Sequence, residues 1–185
     1  MRHPGFSVGN QRQAKLLFDD WVRSDFRRII RSGRTAQFFR HIPFSLPFTY
    51  IALDHAFPGG NFILTISKDA DEWCQSLARF HGKRWGNGNI PPNADDLKNA
   101  TTIYKGYPYH TCLHFHNTPE NEPYHKDVLT ASYETHKKNV ADFFRHHPDD
   151  LLIINLKNSG DYGRFCRFIG SKQERDRFPW ENQSR

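Results

Sequence analysis

Two short apolar, β-prone runs constrain this chain more than anything else in it: Asn61 to Ile66 in "NFILTISKDADEWCQSLARFH" and Leu151 to Leu156 in "HPDDLLIINL". Neither alternates polar with apolar side chains. Each therefore reads as a strand covered on both faces, the pattern of a parallel sheet. Helical spacing follows both. Trp73, Leu77 and Phe80 recur at intervals of three and four after the first, and "GDYGRFCRFIG" predicts a last helix ended by Gly170 after the second. Strands alternating with helices predict an α/β fold, a parallel sheet flanked by helices, with Ile63 to Ile66 beside Leu151 to Ile154. A chain of 185 residues, 37% of them apolar, suits one core, so a single domain over residues 1–185 is expected.

In such sheets ligands sit beyond the carboxyl ends of the strands, where the next helix presents free N–H groups and the positive end of its dipole. The polar hinge Ser67, Lys68 and Asp69 falls at that place. Lys68 leaves the strand as a cation, Asp69 is suited to cap the helix, and Ser76 offers a hydroxyl two turns on. A phosphate between Lys68 and Ser76 would gain a charge-assisted bond and a hydroxyl donor. The plainer alternative is a solvated lysine, a helix cap and a surface serine.

Elsewhere, Gln11 to Arg31 carries Leu16, Leu17, Trp21, Phe26, Ile29 and Ile30, a broken stripe that predicts two helices or one bent one, with Gly33 as the stop. Pro43 and Pro47 delay the next helix to Tyr50 through Phe57. The segment "GKRWGNGNIPP", Gly82 to Pro92, reads as a lid or binding loop, a candidate to help define an acceptor, or as an ordinary linker. Residues 94–116 are expected to be helical in part, and a long helix from Lys126 to Arg145 is expected to bury Leu129, Tyr133, Val140 and Phe144.

Two other constellations invite chemistry. In "HTCLHFH", a helix would put His110 and His114 on one face, as in a metal site, but Cys112 and His116 do not share that face. A third ligand would have to come from elsewhere, and no Glu follows His110 to complete a zinc-protease motif. The arginines and rings of "DFRRIIRSGRTAQFFRH" could meet single-stranded nucleic acid, yet helical spacing buries Phe26, Ile29 and Ile30 and argues against it. The formal charge of +6 favours an anionic partner of some kind. Three cysteines without CxxC spacing fit a reducing compartment, and neither a signal-peptide core nor a run of about 18 apolar residues is found. A cytoplasmic protein without a membrane span is expected.

Taken together and in order, several segments resemble a sulfotransferase family with a P-loop nucleotide-hydrolase fold. "IPFSLPFTYIALDHAFPGGNFILTISKDADEWCQSLARFHGK" is similar to the family's "IPF" or "MPF" segment, its "LD..YPGSKFILTVRD" strand and a helix bearing Trp and Ser. "YETHKKNVADFFRHHPDDLLIINLKNSGDYGRFCRFIG" is similar to its later helix, "RPEDLLVL" strand and "W..LC.FLG" helix, and "RFPWEN" to its closing "FPH.N". In sulfotransferases an Arg at the end of this strand and a Ser eight residues on bind the 3′-phosphate of 3′-phosphoadenylyl sulfate (PAPS). Lys68 and Ser76 stand at those positions, the lysine keeping the charge without the bidentate fork. The resemblance thus implies sulfuryl transfer from that nucleotide donor to a hydroxyl or amine acceptor, with no metal.

Two departures accompany it. The family's opening strand and glycine-rich loop, "G.P.SGTT" or "G..K.GTT", have no counterpart, and Gly5 and Gly9 do not replace them. "GFSVGNQRQAKLLFDDW" resembles the segment that follows the P-loop helix, so an N-terminally truncated domain is expected, with an open sheet edge that invites self-association. At "RHIPF", His41 stands where relatives carry Asp, and a histidine there could serve as general base. The competing reading is a catalytically inactive remnant that serves as a binding or interaction module.

Overall fold

The computed structural model describes residues 5–179, which gather into two compact units. One runs to Gly60 and takes in Thr101–Lys105; the other holds Asn61–Ala100 and the residues from Gly106 on. The last residues of "RFPWEN", Trp180 to Asn182, lie outside the described residues.

The first unit is built from short helices: α1 (Gln11–Lys15), α2 (Phe18–Val22), α3 (Arg27–Gly33) and α4 (Thr49–Ala56). The expected two helices before Arg34 are three, because the chain turns at Leu16–Leu17 and again at Ser24, whose φ of 57° is left-handed and ends α2. Asn10 caps α1 by accepting the Gln13 N–H at 3.1 Å. Leu17, Phe18, Ile29, Leu46 and Tyr50 form the core, whereas Leu16 of the predicted stripe is 58% exposed. The turn after α1 rotates Leu16 outward. Gly33 is the last residue of α3 and has no left-handed φ; a Cβ there would lie 2.9 Å from the Phe57 ring, so the position demands a small residue for packing rather than a helix stop. Three of the arginines are paired: Arg23 and Arg28 with the buried Asp20 at 3.0 Å, and Arg27 with Asp25 at 2.7 Å.

The second unit holds, in chain order, β1 (Phe62–Thr65), α5 (Ala70–Trp85), α6 (Ala94–Asn99), α7 (Tyr107–His116), α8 (Lys126–Phe143), two 3-10 turns (Phe144–His146 and Pro148–Asp150), β2 (Leu151–Ile154) and α9 (Ser159–Phe168). β1 and β2 pair in parallel with Phe62 opposite Leu151, and the Ile66 N–H extends the ladder to the Ile154 carbonyl at 2.8 Å. The fold is α/β, a small parallel sheet with helices, as the two apolar runs require. Coverage is unequal. Leu152 and Ile154 are buried, but β1 is half-buried and its Thr65 is exposed, so the expectation of a first strand enclosed on both faces does not hold.

α8 buries Leu129, Tyr133 and Val140, and Phe144 follows in the 3-10 turn, all four as the spacing predicts. α5 departs from its predicted stripe. Its buried residues are Ala70, Cys74 and Gly82, while Phe80 is 43% exposed. Small side chains let α5 approach α8 closely, Cys74 Sγ lying 3.6 Å from Thr130 Oγ1, and half-buried Trp73 stacks on Tyr133 at 4.8 Å. Leu97, Tyr109 and Cys112 form a further core cluster with Trp85, Leu113 and Tyr124. α9 closes as expected: Gly170 takes a φ of 67°, its N–H reaches the Arg167 carbonyl, and the Ser171 N–H reaches Cys166 at 2.8 Å.

The predicted lid is different in kind. Gly82 to Trp85 continue α5, and Gly86 to Pro92 form a tight turn in which Asn87 and Asn89 donate to the Asp96 carboxylate at 3.3 and 2.8 Å. Asp96 and Asn93 also form a capping box at the start of α6. The glycine-rich spacing thus serves close packing. A Cβ on Gly86 would lie 2.1 Å from the Asn89 carbonyl oxygen and 2.7 Å from that of Gly82, and backbone atoms cannot swing aside. Gly86→Ala is expected to lower stability by about 1–3 kcal/mol or more, read from urea denaturation. A variant as stable as wild type would show that the turn is not held as described.

Candidate functional site

The junctions that follow β1 and β2 lie side by side, because the strands are parallel and in register. After β1, the Ser67 N–H donates to Tyr133 Oη at 2.9 Å, which fixes the strand end against α8. Asp69 then caps α5, its carboxylate accepting the Glu72 N–H at 2.8 Å, as predicted for this residue. Glu72 reaches back: one carboxylate oxygen accepts the Lys68 N–H at 2.9 Å and the other pairs with the Lys157 ammonium. Lys157 and the Lys68 N–H hold the Glu72 carboxyl below its ordinary pKa.

After β2 the pattern repeats with other residues. The Asn155 N–H donates to the Asp161 carboxylate at 2.8 Å, which also pairs with Arg164 at 2.7 Å, and these bonds lower the Asp161 pKa. Lys157 then leaves the strand end as Lys68 does after β1, its own N–H donated to Asn155 Oδ1 at 3.0 Å. Beside it a cleft of about 390 Å³ is lined by Leu156, Lys157, Ser159, Asp176, Arg177 and Phe178. Phe178 is seated edge-on against Tyr162 and Phe165, at 5.2 and 5.5 Å between ring centroids.

Of the sequence-derived candidates, Lys68 is exposed at the carboxyl end of β1 and Ser76 is exposed two turns into α5. Among the described residues no hydrogen bond joins them. His41 belongs to the first unit, has a left-handed φ of 59°, and precedes a cis Ile42–Pro43 peptide. Its ring reaches solvent, yet the low-polarity surroundings and the cations Arg40 and Lys15 hold its pKa below the ordinary imidazole value. Lys157 and Glu72 were not singled out by sequence reasoning, and Tyr133 was read only as part of the buried face of α8. The signal for Lys157 was present, since it directly follows the second apolar run, Leu151 to Leu156, much as Lys68 follows the first after Ser67; no sequence reading bore on Glu72.

The histidine constellation does not gather around a point. His110 and His114 are exposed on one side of α7, and Cys112 and His116 are buried on the other. Burial pushes the Cys112 thiol up to about 12, so it is a protonated core thiol at neutral pH. His116 Nδ1 lies 3.1 Å from Ser132 Oγ, and burial lowers its pKa to about 3. It is a core histidine. No helix among the described residues is long and apolar enough to cross a membrane.

A parallel pair of strands whose carboxyl ends each deliver a lysine to the start of a helix defines an α/β protein that offers cations where such folds take ligands. The family model described as "Sulfotransferase domain" matches residues 10–185, and the chain belongs to that family, whose chemistry is sulfuryl transfer. Neither a curated protein nor a solved structure matches it.

Proposed function

We propose that this chain is built on a P-loop nucleotide-hydrolase type of fold to transfer a sulfuryl group from 3′-phosphoadenylyl sulfate to a hydroxyl or amine acceptor. Lys68 and Ser76 hold the donor's 3′-phosphate, the ammonium by charge and the hydroxyl as a donor. The sulfur–oxygen bond to the donor's 5′-phosphate breaks as a bond from sulfur to the acceptor oxygen or nitrogen forms. The nucleotide leaves as adenosine 3′,5′-bisphosphate. His41 takes the acceptor's proton; its depressed pKa favours the neutral imidazole that a general base must be at neutral pH. The reading rests on one observation above the others: an exposed lysine at the carboxyl end of a parallel strand, ahead of a capped 16-residue helix, in a chain matched over residues 10–185 to the family.

Titration calorimetry with adenosine 3′,5′-bisphosphate tests it. Charge-assisted bonds contribute about 1.5–3 kcal/mol, so Lys68→Ala is expected to weaken binding by about 10- to 100-fold, and Ser76→Ala by less. Absent binding to wild type, or binding indifferent to Lys68, would reduce the hinge to a capped helix start.

A further inference from the structure

Glu72 holds two donors at once, a backbone N–H at the end of β1 and the Lys157 ammonium from the end of β2. A phosphate monoester bound at this junction would call on the same kinds of donor. The carboxylate therefore stands where a ligand's anion would gain most. Lys157 is also the residue common to this ion pair and to the neighbouring cleft, where Ser159 and Arg177 add a hydroxyl and a second cation. Its side chain is 54% exposed, and ion pairs so open to water contribute little net stability, so a stronger anion can take the lysine at small cost.

Resting on the reading of the hinge as a phosphate site, we propose that Lys157 is a further cation of that site and that Glu72 is its internal counter-ion, displaced when a phosphate monoester binds. The arrangement selects by charge. An incoming group must replace a carboxylate of charge −1 and tolerate its continued proximity. A dianionic phosphate monoester brings more charge than it displaces; a singly charged phosphodiester brings none in excess. Glu72 thus acts on specificity through Lys157, without itself binding the ligand.

Calorimetry with adenosine 3′,5′-bisphosphate and with the monoanionic adenosine 3′,5′-cyclic monophosphate separates the possibilities, with melting temperatures checking the fold of each variant. Lys157→Ala is expected to bind the bisphosphate about tenfold more weakly, and Lys157→Arg to restore binding. Glu72→Gln keeps an acceptor for the Lys68 N–H and frees Lys157, so it is expected to bind about three- to tenfold more tightly and to narrow the preference over the cyclic nucleotide. A purely structural Glu72 would not give tighter binding. If Lys68→Ala weakens binding while Lys157→Ala and Glu72→Gln match wild type, the hinge reading stands and this proposal falls. If Glu72→Gln weakens binding, the counter-ion role is overturned. Absent binding to wild type, or binding indifferent to Lys68, ends both.

Discussion

Lowering the pH from 7 to 5 is expected to remove about 4 kcal/mol of stability from the second unit, through His81 and His116. Burial lowers His81 to about 4, with Arg84 adding to the effect, and its Nδ1 lies 2.6 Å from Tyr124 Oη. Burial likewise lowers His116 to about 3, with His81 and His136 nearby, against Ser132 and the edge of Trp73. Both folded-state values lie below the unfolded value of about 6.5, so the unfolded chain binds the protons first. Stability is full above that value and falls as pH drops through it toward the folded values, by about 1.4 kcal/mol per pH unit for each ring. The lowered carboxylate pKa values of Glu72, Asp96 and Asp161 act in a more acidic range and leave this window to the histidines. Urea titrations at pH 7 and 5 measure the loss, and His116→Gln should show about half of it. Equal stability at the two pH values would mean that the rings are solvated.

Phe144→Ala is expected to cost about 3–5 kcal/mol, the range for a fully buried aromatic. Phe144 is 1% exposed, and its ring centroid lies 4.9 Å from those of Phe62, Phe143 and His147. Phe62 opens β1, so the cavity would form beneath the strand that delivers Lys68. Denaturant midpoints give the loss, and hydrogen exchange at the Ile66 amide, which bonds across to Ile154, locates it in the sheet. A cost below about 1 kcal/mol would mean that neighbouring side chains refill the site.

What could be read from the sequence was whatever local chemistry determines. The existence of the two strands, the Asp69 cap, the buried face of α8 and the Gly170 stop are found as read, and each depends mainly on residues within a turn or two of one another. The parallel pairing of the strands is also as read, whereas the cover of β1 is not. The misreadings arose where a distant partner decides. Trp73, Leu77 and Phe80 have a helical period, but the close approach of α8 favours Ala70 and Cys74 on the buried line. The glycines of "GKRWGNGNIPP" suggest mobility, yet Gly86 is small because the Asn89 carbonyl passes over it. At the site, Lys68 and Ser76 were visible through strand-to-helix spacing and family resemblance. Glu72 and Lys157 meet only because β1 and β2 pair, and no periodicity links residues so far apart in the chain.

That remoteness bears on how the site comes into being. The register sets Phe62 against Leu151, so the sheet closes a loop of roughly ninety residues, an entropic cost that must be met before strand pairing returns anything. α5 through α8 lie inside that loop and dock over shorter separations, α6 locally against α7 and α5 against α8. In the order of assembly, helix docking should come first and strand pairing late. On a ribosome, Lys68 would therefore emerge well before Lys157, and the pair of cations would be complete only once the second strand and the residues just after it have been synthesised. A nascent chain that stops short of Leu151 would carry the capped helix and the lysine of the first junction, but no second strand to set the other lysine beside it.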